Sequence, residues 1–145
     1  MFDTTKEFTA DNFSPTKWEK AENKVRFAQQ FIRFVQSDFD QRQFPHWFYL
    51  RLSLCFSNIA HFDQAGFFET FFVSTEDKVR FLKQTLQHPC YGDPTFTYSD
   101  VEKALQSWLF VNGILAKYEQ RLTDEQEAIE RADLDRLQKK YGSEA

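Results

Sequence analysis

Apolar and polar positions alternate along this chain in steps of three and four, the period of helices packed on one another. Trp18, Ala21, Val25, Ala28, Ile32 and Val35 share one helical face, and Phe27, Phe31 and Phe34 form a second stripe on a different side. A helix that is apolar on two sides is sandwiched between neighbours. Its predicted start is Ser14, with Pro15 at the first position, where a missing N–H costs little. Phe48, Leu52, Cys55, Ile59 and Phe62 predict a second helix running from after Phe44-Pro45 to Phe62, and Gly66 is its expected break. The run from Phe67 to Val73 is too short to carry a period and stays open between helix and extended chain.

Capping chemistry sharpens the second half. Ser74, followed by Glu76 and Asp77, predicts an N-terminus for a third helix carrying Val79, Leu82 and Leu86. Residues 89–94 (PCYGDP) are rich in turn formers and predict a loop. Ser99 and Glu102 match the S-x-x-E capping box and predict a fourth helix, with Val101, Leu105, Trp108, Leu109, Asn112 and Leu115 on its inner face. Thr123 and Gln126 repeat the pattern, so the fourth helix either continues or gives way to a fifth there. Residues 119–145 hold eight acids against five bases and a thin apolar row, as expected of an acidic surface helix.

The expectation is therefore an all-α bundle of four to five helices with an aromatic-rich core, formed as one domain. Residues 1–13 would be a packed N-terminal arm, 14–118 the bundle body and 119–145 the acidic C-terminal helix. An internal echo adds to this. Lys24-Val25-Arg26-Phe27, with Gln30, recurs 54 residues later as Lys78-Val79-Arg80-Phe81, with Gln84. Ser53, Phe56 and Asn58 align with Ser107, Phe110 and Asn112 at the same offset. This pattern is that of two related helical hairpins.

Composition explains how so polar a chain builds a core. Apolar residues are 41% of 145, and 18 residues are phenylalanine. Each buried aromatic side chain withdraws roughly 150–250 Å² from water. The formal charge of −4 gives no global attraction to nucleic acid. No stretch reaches the roughly 18–20 apolar residues of a membrane span, and the N-terminal residues lack the apolar core of a secretory signal. The expected setting is cytoplasmic, with Cys55 and Cys90 as reduced thiols.

No catalytic constellation stands out. Cys55, His61, His88 and Cys90 have ligand chemistry suited to zinc, but residues six apart on a helix point about 120° apart. His88 and Cys90 could pair a base with a thiol, yet nothing in their spacing turns them toward each other. The phosphate-binding glycine motifs are absent. The expectation is a non-enzyme with neither metal nor cofactor.

Three binding roles remain. The leading one is a small acidic adaptor or inhibitor, of a kind that phages and plasmids encode, acting on another protein or on a second copy of itself. Phe67, Phe68, Phe71 and Phe72 would be its anchors, and Glu125, Glu127, Glu130 and Asp133 its charged face. The second is a domain with an internal pocket for an apolar or aromatic ligand, near Cys55, Trp108 and Asn112, where an amide on an apolar face invites a partner. The third is nucleic-acid binding through Lys17, Lys20 and Lys24, a basic row that runs into Phe27 and Phe31. The negative charge weighs against it.

Overall fold

The computed structural model describes residues 8–56 and 62–142 and is all-helical. Six α-helices follow one another among the described residues: α1 (Ala21–Gln36), α2 (His46–Leu52), α3 (Gln64–Phe71), α4 (Thr75–Gln87), α5 (Ser99–Val111) and α6 (Ile114–Tyr141). The count exceeds the expected four to five because residues 64–71 form a helix of their own and the fourth expected helix breaks at Gly113 rather than at Thr123, which lies inside α6. Local chemistry also moves the ends of the expected helices.

The first break is at the N-terminus. Thr16 Oγ1 accepts the backbone N–H groups of Trp18 (3.1 Å) and Glu19 (2.8 Å). A hydroxyl that competes for backbone donors in this way holds residues 14–20 outside the helix. Helix α1 therefore starts at Ala21 rather than Ser14, and Trp18, expected in the core, is 72% exposed. The second break is at Leu52. There Ser53 Oγ donates to Leu50 O (2.9 Å), and Phe56 leaves the helical path at φ +54°. Ile59, Asn58 and His61 lie outside the described residues.

Gly66 is the third departure from expectation. Asp63 Oδ1 accepts the Gly66 N–H at 2.6 Å and caps α3, so the glycine begins a helix instead of ending one. A Cβ there would meet the same oxygen at 2.9 Å, so a larger residue would push the Asp63 cap aside. The run from Phe67 to Val73, open between helix and extended chain on sequence grounds, is thereby helical as far as Phe71. Ser74 caps α4 as expected, accepting from the Asp77 N–H at 3.0 Å.

Phe34 sits at the centre of the core. Its ring lies 4.8–5.7 Å from those of Phe39, Phe44, Phe48 and Phe72. Phe27, Phe31 and Phe34 face this cluster from α1, and Ala28 and Val35, about 100° round the same helix, are also buried. Helix α1 packs against both α2 and α5. Phe8 and Phe13 bring the N-terminal segment onto the body, both buried, with rings 5.4 Å apart.

The internal echo has a structural counterpart in its first half. Lys24 and Lys78 are each the fourth residue of their helix, both are buried, and each pairs with an aspartate from another element. Arg26 and Arg80 each stack on an aromatic ring, Trp47 and Phe71 respectively. The correspondence ends there: Phe56 is fully buried whereas Phe110 is 77% exposed.

Candidate functional site

The loop between α4 and α5 turns on buried polar groups. Lys24 Nζ, with no solvent exposure, donates to Pro94 O (2.8 Å) and to Asp100 Oδ1 (2.9 Å). The second oxygen of Asp100 accepts the Ser14 N–H (3.0 Å), and Lys17 N–H donates to Thr95 O (2.8 Å). At the other end of the loop, Gln106 Nε2 bridges Thr85 O and His88 O. An ammonium buried this deeply has to be paired, and here it is. These bonds hold residues 14–17, the loop and α5 together, and with the end of α2 they enclose a common space.

That space is a cleft of about 820 Å³. Trp18, Phe96, Leu54 and Tyr91 contribute its exposed apolar surface. Trp18 and Phe96 meet edge to face with centroids 5.9 Å apart. Cys55, Cys90, His88 and Glu102 supply its polar groups, together with Glu19, Arg51 and Tyr98. The last three are joined: Arg51 forms an ion pair with Glu19, Tyr98 donates its hydroxyl to Glu19 Oε2 (2.8 Å), and the Arg51 guanidinium stands 5.3 Å from the Tyr98 ring centre.

Glu102 explains why the expected capping box does not form. Its Oε1 accepts the backbone N–H of Phe56 at 2.5 Å, 46 residues away, and Ser99 Oγ donates to Gly92 O at 3.0 Å. Both members of the S-x-x-E pair serve tertiary structure, and α5 begins after Tyr98 without a side-chain cap. Burial raises the Glu102 carboxyl above the ordinary glutamate value, although the Phe56 N–H pulls the other way. Burial and the nearby Glu102 charge also raise both thiols, Cys90 to about 11 and Cys55 well above a free cysteine. Near neutral pH both are thiols rather than thiolates, which are the nucleophilic form.

Other residues singled out from sequence fall elsewhere. Phe67 and Phe72 are fully buried in the aromatic core, and Phe68 and Phe71 pack against it; the placement of these four as exposed anchors is corrected. The short helix α3 spends its rings on Phe44, Phe34 and Phe81 through Phe67, Phe68 and Phe71 respectively. Trp108 is core and does not line the cleft. Asn112 is exposed and follows the last turn of α5, where its Nδ2 donates to Trp108 O (2.8 Å). It is a helix terminus, not a polar group on an apolar face. Of the expected pocket residues only Cys55 lines the cleft.

The basic row is likewise broken up. Lys24 is consumed by Asp100 and Pro94, Phe27 and Phe31 are buried, and only Lys17 and Lys20 reach solvent. Glu125 accepts a bond from Thr75 Oγ1 (2.8 Å), while Glu127, Glu130 and Asp133 stand exposed on α6. Among the described residues no group of three or more His, Cys, Asp or Glu could hold a metal ion, and no helix is long and apolar enough to cross a membrane.

Trp18, Glu19, Arg51, Phe96, Tyr98 and Glu102 are among the cleft residues that sequence reasoning missed. The turn formers in residues 89–94 marked the loop but not what it would face. Compared with known proteins, the chain matches no family model, no curated protein and no solved structure.

Proposed function

We propose that the protein binds a small, largely apolar organic molecule, aromatic in part, in the cleft between Trp18 and Glu102, and does not transform it. The observation that supports this reading is the cleft itself. At about 820 Å³ it falls within the range of roughly 300–1,000 Å³ typical of small-molecule sites. Its wall of Trp18, Phe96 and Leu54 offers apolar and aromatic contact. Glu102 uses one oxygen on Phe56 and can accept a hydrogen bond from a ligand N–H or O–H with the other. The Glu19–Arg51 pair is internally neutralised, so the polar side of the cleft favours a neutral or cationic donor over an anion. Two reduced thiols in one cleft suit a cytoplasmic setting, and their raised pKa values favour binding over nucleophilic chemistry.

The test is a fluorescence titration with N-phenyl-1-naphthylamine, a neutral apolar probe with one N–H donor. The expected result is saturable uptake at one site, lost in Trp18→Ala and weakened in Glu102→Gln. Uptake that does not saturate, or that neither variant alters, would overturn the proposal.

A second reading, contact with a protein partner as an adaptor or inhibitor, is supported by different residues from those expected. Ile129, Leu134, Leu137 and Tyr141 are exposed on α6, unlike the phenylalanines of α3.

A further inference from the structure

Helix α6 is 28 residues long, but only its N-terminal part, as far as Glu125, belongs to the body. Ile114, Leu115, Tyr118 and Leu122 pack against the core, and Thr75 bonds Glu125. From Gln126 to Gly142 every residue is exposed. The 16 helical residues past Glu125 project by about 24 Å at 1.5 Å per residue. Isolated helices of that length are marginal in water, because most helical stability in proteins comes from packing an apolar face. Ile129, Leu134, Leu137 and Tyr141 provide such a face within an arc of about 140° at 100° per residue.

Charge says what covers it. Residues 124–130 hold four acids and no base, whereas residues 131–142 hold four bases and two acids. The helix macrodipole accounts for cations only in the last turn, where Lys139 and Lys140 lie. Residues 124–130 are in neither end turn, so the dipole leaves their charge unexplained. Pairs within the helix, such as Asp135–Lys139 at 3.2 Å, contribute only a few tenths of a kcal/mol each. Two such segments side by side and parallel would set acid against acid. Antiparallel, each acidic half meets the basic half of the other, and the two apolar faces cover one another.

We infer that the projecting part of α6 is a self-association surface, which pairs two copies of this chain antiparallel over residues 126–141. The pairing does not depend on what the cleft binds.

Sedimentation of the full chain across a concentration series tests it. A species of twice the 17.3 kDa chain mass is expected, weakening as salt is added because attraction between complementary halves is screened. The triple substitution Arg136→Glu/Lys139→Glu/Lys140→Glu makes both halves acidic and should weaken the dimer by about tenfold or more. Adding Asp124→Lys/Glu127→Lys/Glu130→Lys inverts the gradient and should restore it. Circular dichroism of each variant confirms that the body stays folded. A chain that is monomeric at every concentration overturns the inference, as does a dimer that added salt strengthens. A dimer indifferent to both sets of charge reversals overturns it equally, by placing the interface elsewhere.

Discussion

Lys24 Nζ lies 2.9 Å from Asp100 Oδ1, and the lysine has no solvent exposure while the aspartate keeps a fifth of its side-chain surface in water. The pair joins α1 to the start of α5, and through Pro94 O and the Ser14 N–H it also fixes the loop and the N-terminal segment. The loop, the N-terminal segment and α5 line the cleft together with the end of α2, so much of its shape rests on one buried cation.

Replacing that cation should therefore be costly. Lys24→Met leaves Asp100 facing an apolar side chain, and breaking a buried pair by removing one partner costs about 3–5 kcal/mol. Asp100 is partly hydrated and also accepts from the Val101 N–H, so the lower end of that range is expected. Urea denaturation checks it. The double variant Lys24→Met/Asp100→Asn should recover part of the loss, since no unpaired charge remains.

The aromatic core gives a second expectation. Phe34 touches Phe39, Phe44, Phe48 and Phe72, so Phe34→Ala opens a cavity that several fixed rings cannot fill. The expected loss is about 3–5 kcal/mol, enough to unfold much of a marginally stable domain. Phe110→Ala, by contrast, removes an exposed ring and should change stability by less than about 0.5 kcal/mol. Thermal melts of both variants compare the two directly.

Glu102 makes stability depend on pH in a defined direction. Burial raises its folded pKa, so the native state holds this proton more tightly than the unfolded chain. The contribution is fully present below the ordinary glutamate value and is lost as pH rises through the raised one. Glu102→Gln, whose amide oxygen can still accept the Phe56 N–H, removes the charge that burial disfavours. The variant should melt higher than the parent near neutral pH, and the gap should close in acid. Melting temperatures from pH 3 to 8 measure it, and a constant gap would refute this assignment.

The thiols give a chemical readout of the same cleft. With Cys90 raised to about 11 and Cys55 pushed well above the ordinary thiol range by burial, alkylation by iodoacetamide at pH 7 should be slower than for free cysteine. Cys90 should react before the buried Cys55, and its rate should climb steadily toward pH 11. Mass spectrometry of the intact chain over time follows both additions.

Much of the helical body was legible in the sequence because periodicity and capping report on local forces. The inner faces of α1 and α5 and the Ser74 cap are stated by residues within one turn of each other. What escaped were decisions made at a distance. Ser99 and Glu102 read as a capping box, yet a backbone donor 46 residues away claims the glutamate. Lys24 reads as part of a basic row with Lys17 and Lys20 because nothing nearby in sequence names Asp100 as its partner. Trp18 was assigned to an apolar stripe because the competition from the Thr16 hydroxyl does not appear in a hydropathy pattern. The candidate site was barely legible for the same reason. Its walls come from four separated segments, and only Cys55 was named in advance as a pocket residue.

Gly113 stands between α5 and α6 at φ +62°, with nothing within 4 Å of where a Cβ would be. Space is not what the position demands; a left-handed backbone is, which glycine adopts without penalty and asparagine tolerates better than most. The whole 28-residue helix departs from that joint, and its far end is about 40 Å away. Geometrically the helix is a pointer: a turn of ten degrees at its base carries the tip about 7 Å. Tyr118 and its hydroxyl bond to Asp38 (2.7 Å) brace the pointer one turn out. Where this chain presents its charged tip is thus decided by the Gly113 joint together with the contacts of Tyr118, Leu122 and Glu125 along the first turns.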